Sequence, residues 1–541
     1  SALDELFDRN IIIEVENEKG AFRHALTREA IRSEIMWSKR RALNRSIAAH
    51  LESLNAPPEL IAEHWLDANE NEKARKALIA SAEKSCQIHA YRDAANAANR
   101  ALKIWPENQQ EELRLATMEQ LAHCAQISGQ LNDAIRALRE VADSPPVKSD
   151  LRWYADIQRS LATVYGLQGT WEQSLTARKA AAEAFEEAGL LGEAANEFLA
   201  AAARNSGMYQ LTEAVEFCDK AIALAEKSQR GDIQARTLAL KGNVLAMLGK
   251  YQLGIETVNK GLSLALENNL TDAAAEVYRR LGGTLEYASE YTSSREAYFT
   301  AYNYCQNQGE AAQAQMCLGC MSYVLFRTGD WKQCIDISRE LFNDPESPAG
   351  SKSIAIGVLG IINCYRGETR RARKNLGETL NIALREKIQA MEMISFWGLG
   401  VVEEFDGQNA AAEKYYRQLL ATQERYSDVH DSLPGLMSAI TFFSNRKLEK
   451  ETNLCANILA DITSKASNTE ALGMLAYALG ETSLLNDQPK EAAQQFLQSI
   501  AHLEKLEVPI EIIKAEFRAG VAFARMNSKE EAVKYLRNAY R

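Results

Sequence analysis

From about residue 71 onward, bulky, small and polar positions follow one another in a fixed order. A helix-forming stretch ends in a glycine, a bulky residue stands two positions on, and a small residue follows three later. Gly129-Gln-Leu131-Asn-Asp-Ala134, Gly169-Thr-Trp171-Glu-Gln-Ser174 and Gly329-Asp-Trp331-Lys-Gln-Cys334 show the unit. Its last position generates the column Ala94, Ala134, Ser174, Ala214, Gly254, Ser294, Cys334, Ala372, Ala412, Thr452, Ala492 and Ala532, with ten steps of 40 residues and one of 38. Twelve residues earlier runs a second column: Ala82, Ala122, Ala162, Ala202, Gly242, Gly282, Ser322, Gly360, Gly400, Ile440, Gly480 and Gly520. A third is the turn glycine at 129, 169, 249, 329, 367 and 407.

Paired columns of small residues predict antiparallel helices that approach closely beside a tight turn. The glycine supplies the positive φ that ends the first helix, A, and the bulky residue packs over the turn into the second, B. One such hairpin cannot bury its apolar face alone, so neighbours must stack into a continuous core. An A helix of about 18 residues would be about 27 Å long.

The columns resemble the tetratricopeptide repeat, with a period of 40 in place of the usual ~34. The longer helices look like those of maltose-activator-like (LuxR-type) bacterial regulators. The expected fold is all-α: a right-handed superhelical solenoid of about 12 such hairpins. The bulky column reads Tyr91, Leu131, Trp171, Leu211, Tyr251, Tyr291, Trp331 and then Thr369, Asn409, Glu449, Pro489, Lys529. The change coincides with the 38-residue step and the loop Asn343–Gly350, so a seam is expected near residue 345. The repeat holding Ile440 and Thr452 is the weakest match.

The first sixty residues do not follow the repeat. Ile11–Val15 reads as a strand, Glu16–Gly20 as a turn and Ala21–Leu26 as the return strand, with Thr27 capping a helix. A second helix runs through Lys39–Arg45, and Asn55-Ala-Pro-Pro58 breaks the chain. The expected organisation is residues 1–56 as a winged-helix-like remnant, 57–343 as the first part of the array and 344–541 as the second.

Phe22-Arg-His-Ala-Leu-Thr-Arg-Glu-Ala30, followed by Ile61-Ala-Glu-His-Trp65 and helical repeats, resembles the corresponding segment of STAND-type signalling ATPases. The resemblance implies a nucleotide-binding domain ahead of the winged helix, a repeat array that senses an inducer or partner, and an attached output module. ATP or ADP would then belong to the full-length protein. In such relatives a winged-helix histidine can touch the nucleotide phosphate, and His24 is the one candidate for that contact here. No G-x-x-x-x-G-K-[ST] loop occurs in the sequence. The chain opens partway into the presumed winged helix and ends within a B helix, which leads to the expectation of a fragment of a longer protein.

Composition narrows the chemistry. The net charge of −11 argues against a nucleic-acid face over most of the surface. The basic clusters Lys39-Arg40-Arg41/Arg45 and Arg370-Arg371/Arg373-Lys374 stand apart from that balance. Nine irregularly spaced cysteines suit reduced thiols and a cytoplasmic location. No apolar run reaches membrane-spanning length. Cys317-Leu-Gly-Cys320 has no second pair nearby in sequence to complete a zinc site, so it reads as core packing. The seven histidines form no H-x-x-x-H pair, and no G-x-S-x-G occurs. No catalytic residue, metal site or cofactor is expected in this chain.

In tetratricopeptide arrays the A helices line the concave face, at positions six and three before and one after the small column. That register selects Arg159, Arg236, Asn243, Arg279, Tyr323, Trp397, Tyr477 and Phe517. Arginine and aromatic side chains are favoured anchors in binding surfaces, and arginine suits a carboxylate or phosphate. The expected partners are a protein, peptide or small-molecule inducer and the chain's own nucleotide-binding domain, with no membrane or nucleic acid. A passive tetratricopeptide scaffold and the regulatory half of a nucleotide cyclase are the alternatives.

Overall fold

The computed structural model describes residues 2–15, 19–466 and 468–540. A short helix, Ala2–Asp8, precedes strands β1 (Ile12–Val15) and β2 (Lys19–Phe22), which pair antiparallel from Ile12 opposite Phe22 to Val15 opposite Lys19. The return strand is shorter than expected. It stops at Phe22 because a helix begins at Ala25, with His24 at the N-cap, so Thr27 lies inside the helix rather than capping it. Of the expected turn, residues 16–18 lie outside the described residues, and Lys19 and Gly20 belong to β2. Helices Trp37–Ser53 and Pro58–Asp67 follow, the second opening on a proline where its missing N–H costs no helical hydrogen bond.

Twelve helical hairpins follow among the described residues, from Asn71–Gln87 with Tyr91–Lys103 to Pro509–Arg525 with Lys529–Tyr540. They are numbered here in chain order. Every residue of both small columns is buried. The two columns meet: Ser174 Oγ donates to the Ala162 carbonyl at 2.6 Å, Ser294 Oγ to the Gly282 carbonyl at 2.8 Å, and Cys334 Sγ to the Ser322 carbonyl at 3.1 Å. In the fifth hairpin the backbones themselves approach closely. A Cβ on Gly242 would sit 2.5 Å from the Gly254 carbonyl oxygen, so no larger side chain fits without moving a helix.

All twelve A-to-B turns hold a residue with positive φ. Six are the expected glycines, and the other six are His89, Tyr209, Ser289, Lys447, Asp487 and Asn527.

The chain divides into two compact units, Ser1–Ala177 and Arg178–Arg541. The first holds a core running from Ala82 to Ala177. In the second, one core runs from Tyr291 to Ala522, straight through the expected seam near 345. There the B helix of hairpin seven stops early at Asn343, the next A helix opens at Ala349, and Leu341 and Ala355 both join that core.

The second unit also closes on itself. Turns of hairpins four to seven abut the loops that open hairpins ten to twelve. Tyr209 donates to Asp428, Ser289 Oγ to Glu470 at 2.8 Å, and Arg327 to Glu470 at 2.5 Å. A Cβ on Gly249 would lie 2.5 Å from that of Ala466, and one on Gly329 would lie 2.7 Å from Pro509 Cγ. The hydrogen-bonded partners across this closure are 139 to 219 residues apart in sequence.

Candidate partner-binding surface

Closure of the second unit decides which inward positions remain reachable. In hairpin nine every residue from Met391 to Glu403 is buried, as in a helix packed on all sides. Trp397 therefore lies in the core, its Nε1 donating to Ser438 Oγ at 3.0 Å. Tyr477 is likewise buried, with its hydroxyl 2.7 Å from Thr441 Oγ1. Tyr323 is buried and its hydroxyl has no hydrogen-bond partner. Phe517 is half exposed and, with Tyr365, Tyr477, Lys514 and Arg518, borders a small cavity of about 170 Å³. The expected concave register points these side chains inward, but inward here is mostly protein rather than solvent.

Hairpins five and six differ. The A helix Gly231–Met247 carries Arg236 and Asn243, and the A helix Thr271–Tyr287 carries Glu276, Arg279 and Arg280. All five are partly accessible. Arg280 Nε lies 3.1 Å and Arg236 Nε 3.8 Å from Glu276, and Arg279 stands one helical turn along. Asn243 rests against Gly283 of the next hairpin, its Nδ2 3.2 Å from where a Cβ there would be. Burial pushes the Glu276 carboxyl up, yet Arg280, Arg279 and Arg236 together hold it below the ordinary carboxylate range. Three guanidiniums thus share one carboxylate. The Nε atoms of Arg236 and Arg279 are buried and have no hydrogen-bond partner. A surplus of positive charge with directed donors is the arrangement that receives an anion.

The fold is tetratricopeptide-like. No protein-family model matches the chain, and no curated protein matches it. Many solved structures are similar in fold type, among them the following three. A Rap protein complexed with competence and sporulation factor is 12% identical over 66% of this chain and 99% of its own, with a TM-score of 0.46. A STAND protein with a tetratricopeptide repeat sensor, from Pyrococcus horikoshii, is 17% identical with a TM-score of 0.36; 71% of this chain matches 59% of that one. The APC/C hetero-tetramer Cut9–Hcn1 gives 11% identity, 86% coverage of each chain and a TM-score of 0.49. No residue role follows from likenesses of this degree.

The remaining expected residues are placed separately. Arg159 belongs to the first unit, where it is partly accessible and 3.7 Å from Asp156. His24 is exposed at its helix N-cap. Of the basic clusters, Arg45 pairs with Glu70 at 2.5 Å and Arg41 lies over the Trp37 ring. Arg373 binds Glu403 and Asp406, whereas Arg370, Arg371 and Lys374 are exposed. Cys317 and Cys320 are free thiols beside Arg279, and burial pushes both up, away from the thiolate form. No helix among the described residues is long and apolar enough to cross a membrane.

Sequence reasoning missed Glu276 and Arg280. Glu276 occupies the same repeat position as Arg236, one period on, so the register contained it. Arg280 falls outside the register and is drawn in by the carboxylate.

The closure was missed entirely, although it left a signal. Tyr209 and Ser289 stand in the turn-glycine column, where a non-glycine residue costs about 1 kcal/mol of backbone strain. Both carry a side chain that reaches across the closure. Here Glu470 is held down to about 2: burial opposes ionisation, but Arg327, His430 and Tyr291 outweigh it.

Proposed function

We propose that this chain is the sensing and partner-binding region of a STAND-type regulator working in the cytoplasm. The concave face of hairpins five and six receives an acidic segment of a protein or peptide partner, or a carboxylate- or phosphate-bearing inducer. Arg236 and Arg279 supply the charge, Asn243 adds a neutral hydrogen-bonding group, and Glu276 is the internal anion with which an incoming one competes. The observation that carries the reading is Glu276 flanked by Arg280 and Arg236, with Arg279 one helical turn along, on partly accessible neighbouring A helices.

Binding there would stiffen the packing of successive hairpins and so bias how the array docks on a nucleotide-binding domain of the same polypeptide. Such control requires the ligand to prefer one arrangement of the array. The chain itself carries no catalytic step in this account; the chemistry belongs to the ATPase and its output module.

The test uses the full-length gene product. A Walker loop upstream and ligand-dependent nucleotide exchange that disappears in Arg236→Glu/Arg279→Glu would support the proposal. Unchanged nucleotide turnover and output after charge reversal, or after removal of repeats, would refute it.

A further inference from the structure

The closure of the second unit gathers five carboxylates, Glu286, Asp428, Asp431, Glu470 and Glu511, with Arg327 and His430. Their partners divide them into two groups. Arg327 takes Glu470 at 2.5 Å and faces Glu511 at 3.6 Å. Asp428 organises its own loop, accepting from the backbone N–H of His430 at 3.0 Å and of Ser432 at 2.8 Å, and from Tyr209. Glu470 and Asp428 are thereby taken up, whereas Glu511 has only the longer ion pair and both its oxygens are buried without a hydrogen-bond partner.

Glu286, His430 and Asp431 are held more loosely. The His430 ring lies 3.3 Å from Asp431 Oδ1 through Nδ1 and 3.3 Å from the Tyr291 hydroxyl through Nε2, both long for a hydrogen bond. Tyr287 reaches Asp431 at 3.3 Å, and Tyr298 donates to Glu286 at 3.1 Å. One ligand atom from each of the three residues lies within 4.8 Å of the others. In the same interior the Tyr323 hydroxyl is buried without a hydrogen-bond partner; its ring lies 6.0 Å from the Arg327 guanidinium, and burial, Arg327, Asp431 and Glu286 act on it in that order.

We infer that Glu286, His430 and Asp431 form a binding site for one divalent transition-metal ion of the Zn²⁺ or Mn²⁺ class. One imidazole nitrogen with two carboxylate oxygens is a donor set such ions accept. Drawing the donors to bonds of about 2.0–2.2 Å requires a modest inward movement of side chains that no short bond restrains. Three protein ligands leave a position for water. Glu286 ends an A helix of hairpin six, whereas His430 and Asp431 precede hairpin ten. The ion would therefore bridge the two edges that close the unit, adding a metal-dependent clasp to the Arg327 contacts.

The test takes the full chain stripped with EDTA and exchanged into metal-free buffer, then titrated with Zn²⁺ or Mn²⁺ alone. Calorimetry should give one ion per chain, with a rise in melting temperature. Glu286→Gln and Asp431→Asn should each weaken binding by at least about tenfold, and Glu511→Gln should leave it intact. A folded wild-type chain that takes up no ion would overturn the inference, leaving His430 as an internal cation only; so would unchanged affinity in the double variant. Should the variants fail to fold, Co²⁺ added to the wild-type chain decides: visible bands of a protein-bound ion support the site, and the spectrum of hydrated Co²⁺ refutes it.

Discussion

Replacing Arg327 by methionine tests whether the buried ionic contacts hold the second unit closed. The Arg327 side chain is inaccessible, as are those of its partners Glu470 and Glu511. Methionine keeps much of the volume but leaves two carboxylates buried without their cation. Breaking a buried pair in this way costs about 3–5 kcal/mol. Loss of the contacts with the Tyr291 and Tyr323 rings, 5.2 and 6.0 Å from the guanidinium, adds about 1 kcal/mol. Native-state hydrogen exchange of the full chain reads the effect locally. Amides at 427–432 and 468–472 should exchange roughly 10²–10³ times faster, the lower part of that energy range. Amides of the first unit, around Leu121, should not change. Adding Glu470→Gln should restore part of the protection, because the amide oxygen still accepts from Ser289 and Tyr291 and one of the two stranded charges is gone. Exchange within about threefold of wild type in Arg327→Met, or no recovery in the double variant, would refute the argument.

Other perturbations separate the parts of the account. Gly249→Ala combines a φ of +77° with a Cβ 2.5 Å from that of Ala466, whereas Gly407→Ala meets only the φ of +72°. The first should cost about 2–4 kcal/mol and the second about 1, read as a difference in thermal or urea midpoints. Glu276→Gln removes the single carboxylate among three arginines and should tighten binding of an acidic peptide several-fold by fluorescence anisotropy; weaker binding would remove Glu276 as the competing anion. The lowered Glu276 pKa also fixes a sign. Its stabilising contribution is complete above the unfolded value of about 4.3 and is lost as pH falls through the lower native value. A ¹³C-carboxyl NMR titration should therefore place its midpoint below that of an exposed glutamate, and a midpoint at or above it would contradict the cluster.

The hairpins were legible because the constraint that makes them is local. Gly242 and Gly254 are twelve residues apart and touch, so size and spacing state the contact directly. Even Ile440 and Thr452, the weakest pair, are buried at the expected places. The binding face was legible in part: the register brought Arg236, Asn243 and Arg279 onto neighbouring helices, but could not say that Tyr323, Trp397 and Tyr477 would be covered. Covering depends on how sharply the array curves, a sum of small rotations that no single repeat records. For the same reason the contacts of Tyr209, Ser289 and Arg327 were invisible as pairs, although two of these residues marked themselves by displacing a turn glycine. The unit boundary at Ala177 falls inside the B helix Trp171–Glu187, where no loop or proline announces it.

The most direct test of the binding surface is a titration of the full chain with a fluorescent oligoglutamate peptide at low and high salt, with hydrogen exchange mapping where it sits. The account predicts saturable binding that weakens with salt, protection on 231–247 and 271–287, and loss of both in Arg236→Glu/Arg279→Glu. Absence of binding, or protection confined to the basic segment 39–45, would contradict it.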